Sequence, residues 1–177
     1  MPVVTDIDTR NQEHFWNKLT QLKFDLNYYH GHFADCVKIL RGIRIGIVAV
    51  TAGVSGIWMT WSDIEWVRFV CPIAVLVLQI FNAILDVFPY EKRKQDLREL
   101  TNLLNPVYTD METDWYMIAE GQYTHEEIVQ KTINYEKRRQ DIQQHYLKDD
   151  VLPERKYIVK KAEKETSAYL ASFKNNK

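Results

Sequence analysis

The sequence predicts an all-α membrane protein, a two-span transmembrane helical hairpin with long cytoplasmic helices, assembled as an oligomer. Two apolar runs, 45–61 and 69–85, each hold 17 residues without a charge, close to the ~20 that a helical span takes. Only the short polar segment 62–68 separates them. Basic residues flank the pair on the far side, with Lys38, Arg41 and Arg44 before it and Lys92, Arg93, Lys94 and Arg98 after it. That bias expects both termini in the cytoplasm and the turn outside. Trp58, Trp61 and Trp66 near the turn and Tyr90 beyond the second run suit amphipathic rings at headgroup level. A hairpin buried in a soluble protein keeps a polar stripe on its helices, whereas these runs are apolar almost all round.

The expected organisation is an N-terminal cytoplasmic helix over 1–40, the hairpin over 41–90 and a C-terminal cytoplasmic helical region over 91–177. The net charge of −1 and mean hydropathy of −0.37 average strongly polar flanks with a strongly apolar centre. A near-neutral chain lacks the concentrated basic surface that phosphate backbones require, so no direct nucleic-acid binding is expected. Cys36 and Cys71 fall on the cytoplasmic helix and on the outer half of the second span, too far apart to bridge in one protomer. Both are expected as reduced packing residues. Segment 1–40 has no apolar core of its own, so no cleavable signal peptide is expected and the hairpin directs insertion.

Within 1–40, Phe15, Leu19, Leu22, Leu26, Tyr29, Phe33, Cys36 and Leu40 alternate spacings of four and three, a heptad seam. The seam serves equally for helices of the same chain or for another copy. Gly31 is its one interruption, costing a helix ~1 kcal/mol, so the helix should run on into the first span. His30, His32 and Asp35 do not share a helical face, and no metal site is expected there.

In the first span Gly42, Gly46, Ala49, Gly53 and Gly56 recur every three or four residues and make a thin face where backbones approach closely. In the second span Gln79, Asn82 and Asp86 stand on one stripe of the cytoplasmic half, which lipid does not accept. About a midpoint near Glu65, Arg44 falls opposite Asp86, and an ion pair between them is expected at the cytoplasmic boundary.

Past Tyr90 the spacing of Leu97, Leu100 and Leu104 predicts a helix ended by Asn105-Pro106. A short helix over 109–120 follows, carrying Trp115, Tyr116 and Ile118, with Gly121 as its C-terminal cap. Thr124 and Glu127 form a capping box that opens the next helix. That helix runs to about Lys148, and Pro153 starts the last, which reaches Phe173.

No glycine-rich phosphate loop, paired metal-spaced cysteines, nucleophile elbow, kinase or zinc-protease signature is present. The chain is therefore not expected to be an enzyme or to carry a cofactor. The aromatic-rich cytoplasmic helix, the tight two-span hairpin, the return through Tyr90-Glu91-Lys92-Arg93-Lys94 and the Trp115/Tyr116 region resemble the prokaryotic SLATT family, the SMODS and SLOG-associating two-transmembrane effectors.

The resemblance implies an inner-membrane effector of bacterial antiviral, abortive-infection defence that forms an ion channel or pore. It also implies gating or inhibition by a nucleotide signal or a nucleotidyltransferase partner. On that reading the chain forms a homo-oligomer in the lipid bilayer, with a cyclic tetramer preferred. Gln79, Asn82 and Asp86 then line the cytoplasmic half of a path, and Phe69, Ile73 and Val75 form a hydrophobic gate above it. The alternative is a non-conducting scaffold or receptor subunit in which the same stripe merely joins helices.

Overall fold

The computed structural model describes residues 6–61, 64–87, 90–147 and 152–175, with the side chains of 6–8, 59–61, 81, 84–87 and 174–175 outside the description. Five helices follow in order: α1 Asp6–Trp61, α2 Glu65–Val87, α3 Tyr90–Ala119, α4 His125–Tyr146 and α5 Lys156–Asn175. Among the described residues there is no strand, and the chain is all-α.

The helices form two compact units, one of Met1–Phe33 with Asp96–Lys177 and one of Ala34–Gln95. The first part of α1 and the chain from Asp96 onward thus supply one unit together. The seam on α1 is the cause. Phe15, Leu19, Leu22 and Leu26 are buried in the first unit, as are Leu97, Leu100, Leu104 and Met111 of α3, Ile128 of α4 and Ile158 of α5. Each such side chain contributes ~1.5–3 kcal/mol on burial. In this unit the seam is satisfied by helices of its own chain.

Asn105-Pro106 does not end α3, which continues through Pro106 to Ala119. The separate helix expected over 109–120 is the second half of α3. A proline inside a helix costs ~3 kcal/mol, and the burial of Leu104, Val107, Tyr108 and Met111 on one face outweighs it. Asn105 and Pro106 themselves lie on the exposed face.

The turn into α4 follows local rules closely. Gly121, at φ 73°, donates its N–H to the Ile118 carbonyl at 3.0 Å, and Gln122 donates to that of Met117 at 3.0 Å. This pair of bonds closes a helix when the residue between can adopt a positive φ, as glycine does without strain. Thr124 caps α4: its side chain accepts from the Glu127 N–H, and Glu127 accepts from the Thr124 N–H at 2.8 Å. The last helix, expected from about Pro153 to Phe173, runs from Lys156 to Asn175.

Candidate functional site

The second unit inverts the burial of the first. Ile45 is 62 % exposed, Val48 67 %, Phe69 70 % and Ile73 61 %, and Val70, Leu76 and Ile80 are at least half exposed as well. Few apolar side chains there are covered, among them Cys36, Leu40, Val67 and Cys71. Monomeric soluble proteins rarely expose apolar patches of this extent, and such patches mark interaction or membrane surfaces.

The second half of α1 and α2 lie side by side, since residues of both line two grooves. One, of about 510 Å³, is bordered by Val54, Ser55 and Trp58 from α1 and by Cys71, Val75 and Gln79 from α2. The other, of about 360 Å³, lies among Ile43, Gly46, Ile47 and Val50 of α1 and Ala74 and Leu78 of α2. The first has polar walls at Ser55 and Gln79; the second has no polar side chain.

Gln79 and Asn82 are both exposed on α2, and the Asp86 side chain lies outside the described residues. Val75 shares the face of Gln79, as their common groove records. Phe69 and Ile73 do not: at ~100° per residue they stand on α2 roughly a quarter to a third of a turn away from Gln79. Of the three residues expected to form a gate above the stripe, Val75 therefore shares its angular position on α2.

The small-residue face is open. A Cβ placed at Gly42, Gly46, Gly53 or Gly56 would meet nothing within 4 Å, and Ala49 is exposed. Gly46 also stands on the wall of the apolar groove.

Among the described residues Arg44 forms an ion pair with Glu91; the pair expected with Asp86 falls on a side chain outside the described residues. Glu91 lies in the first turn of α3, where a carboxylate also meets the positive end of the helix dipole. Lys94, one turn on, holds the same carboxylate. The Lys94 hydrogen bond and the Lys94 and Arg44 charges keep the Glu91 carboxyl below its ordinary range despite some desolvation. Symmetry of the two apolar runs could not find this pair, because it joins α1 to the next helix rather than to the second run.

No protein-family model, curated protein or solved structure matches the chain. Its functional reading therefore rests on its own residues. Among the described residues no helix is long and apolar enough to cross a membrane. The side chains of Met59, Thr60 and Trp61 in the first apolar run, and of Phe81, Ile84 and Leu85 in the second, lie outside the described residues. Also among the described residues, no three His, Cys, Asp or Glu side chains are grouped to hold a metal ion.

The first unit contains two polar clusters that spacing did not disclose. The nearly buried Asp114 accepts hydrogen bonds from Tyr123 Oη at 3.0 Å, Lys131 Nζ at 2.8 Å and Tyr135 Oη at 2.7 Å. Burial pushes its carboxyl up, but the three donors outweigh burial and hold it below the usual carboxylate range. Asp25 pairs with Arg139 at 3.0 Å and accepts from Gln143 at 3.1 Å. There burial dominates the favourable Arg139 charge, and the carboxyl is raised. A burial pattern alone carries no sign of either cluster, because each draws its members from sequence-distant turns.

Proposed function

We propose that the chain is an oligomeric effector of the bacterial inner membrane, with both termini cytoplasmic. Its α1–α2 hairpin lies in the bilayer and contributes to an ion path whose opening depolarises the cell. The exposed apolar surface of the second unit is the observation that carries this reading. Its side chains lose contact with water on entering hydrocarbon at ~25 cal/mol per Å² of apolar surface. The resemblance to two-span antiviral effectors adds a trigger, a nucleotide signal or the enzyme that makes it. Gln79 and Asn82 supply the polar groups of the path, and two spans cannot enclose water alone, so a homo-oligomer is required, with a cyclic tetramer preferred.

The open glycine face favours a second reading, a membrane-anchored scaffold or receptor subunit assembled by helix packing without conduction. Small residues with free space beside them are the positions at which membrane helices meet. Reconstitution separates the two. The purified protein should float with vesicles and carry ions, more so when the signalling partner is present. Flotation without flux under any condition selects the scaffold, and failure to float contradicts both.

A further inference from the structure

We propose that both spans wall the ion path, with Ser55 of α1 and Gln79 of α2 sharing a water-filled groove that takes a monovalent cation. The inference rests on the membrane reading above. Of the two grooves described above, the one of about 510 Å³ has polar groups on its walls and the other has none. An apolar groove in hydrocarbon has nothing to hold water, whereas a groove holding a hydroxyl and an amide does.

The hydroxyl chemistry gives the sign of the preferred ion. Ser55 Oγ donates to the Thr51 carbonyl at 2.9 Å, and Thr51 Oγ1 donates to the Ile47 carbonyl at 2.8 Å. Each hydroxyl has one hydrogen, and both are used within the helix. What Ser55 offers the groove is therefore oxygen lone pairs; the Gln79 amide brings both a carbonyl oxygen and N–H donors, so the sign of the preference comes from Ser55. Oxygen acceptors replace the hydration shell of a cation and offer nothing to an anion. At the outer end of α2, Glu65 and Arg68 stand on nearly the same helical face as Gln79, at spacings of 14 and 11 residues. Their opposite charges offset, which leaves discrimination to the acceptors inside. Val54 and Val75 narrow the same groove and leave it mostly apolar, so water occupancy there can be lost and regained as a gate.

Cys71, nearly buried on the wall of this groove, reports whether water reaches it. The test uses full-length Cys36→Ala protein, in which Cys71 is the remaining thiol, in vesicles of phosphatidylcholine and phosphatidylglycerol. A charged, membrane-impermeant methanethiosulfonate is the probe, and flotation of the same sample is scored alongside. The expected result is modification of Cys71 in intact vesicles. Ser55→Ala should lower the potassium-over-chloride permeability ratio about tenfold, the loss of one hydrogen-bond-sized interaction, with Ser55→Thr retaining it. Floating protein whose Cys71 reacts only after detergent overturns the shared groove while leaving the membrane reading intact. An unchanged ratio in Ser55→Ala also overturns it. Protein that does not float overturns the membrane reading and the groove with it.

Discussion

Gly31 of α1 lies so close to Ile158 of α5 that a Cβ at position 31 would stand 2.6 Å from Ile158 Cγ2. The glycine that looked like an interruption in the α1 seam is the point at which α5 packs onto it. Because Ile158 is β-branched and stiff near its backbone, the clash cannot be relieved by swinging a flexible tip. Gly31→Ala should gain ~1 kcal/mol of helix propensity and lose ~1–3 kcal/mol to overpacking. A net destabilisation of ~1 kcal/mol is expected in denaturant unfolding. Adding Ile158→Ala, which removes Cγ2, should give a double variant less destabilised than the sum of the two singles. Additive losses would show that the close approach is not what makes position 31 a glycine.

The acid limb of stability should depend on Asp114. Its folded-state carboxyl lies below the ordinary 3.8, so its contribution is present above that value and is lost as pH falls through the depressed one. Asp114→Asn should cost ~1.5–3 kcal/mol at neutral pH and flatten the acid limb. Asp25, raised from 3.8, has the opposite sign: its ionisation opposes folding. Asp25→Asn should therefore cost less than Asp114→Asn at pH 7, and unfolding midpoints measured from pH 3 to 7 check the order.

On the alkaline side, burial raises Tyr29 to about 12. Tyr108, Tyr135 and Tyr169 are raised as well, first by burial. A raised folded-state value means full stability below the unfolded 10.0, lost as pH climbs through the folded values. Thermal unfolding followed from pH 8 to 12 should be flat to about pH 9.5 and fall beyond it. Tyr169→Phe, which removes one such hydroxyl, should soften the fall.

The Arg44–Glu91 pair is exposed, with side chains 70 % and 52 % accessible, so solvent and salt screen it and it adds little to stability. Arg44→Glu should be rescued by Glu91→Arg and not by Asp86→Arg, judged by a double-mutant cycle on unfolding at low salt. Rescue through position 86 would restore the pairing that the symmetry of the runs suggests.

Much of this fold was legible in the sequence because local rules decided it: the Thr124/Glu127 box, the Gly121 cap and the α1 seam through Leu26 all lie where their spacing put them. Legibility failed where tertiary burial overrode a local rule. Pro106 remains inside α3 because its neighbours Leu104, Val107 and Tyr108 are buried, and Gly31 answers to a side chain far along the chain. The candidate site was legible in part. Gln79, Asn82 and Val75 emerged from spacing, but Ser55 did not, since a lone hydroxyl in an apolar run takes on meaning only once a second helix brings Gln79 to the same groove.

Oligomerisation should depend on the open glycine face. Among the described residues a Cβ at Gly46 or Gly53 meets nothing within 4 Å, so Gly46→Leu and Gly53→Leu place their added bulk on an open face. Helix content and the unfolding of the first unit should be unchanged, while mass measurement in detergent shifts from oligomer to smaller species. An unchanged mass would move the interface elsewhere on the hairpin.

Ion flux through vesicles reconstituted with wild-type protein and with the Gln79→Leu/Asn82→Leu double variant tests the proposed ion path most directly. Wild type should conduct, and the double variant should not, while its oligomer keeps the same mass. Undiminished flux in the double variant, or loss of the oligomer along with the flux, would contradict a path lined by this stripe and leave Gln79 and Asn82 as polar contacts between helices.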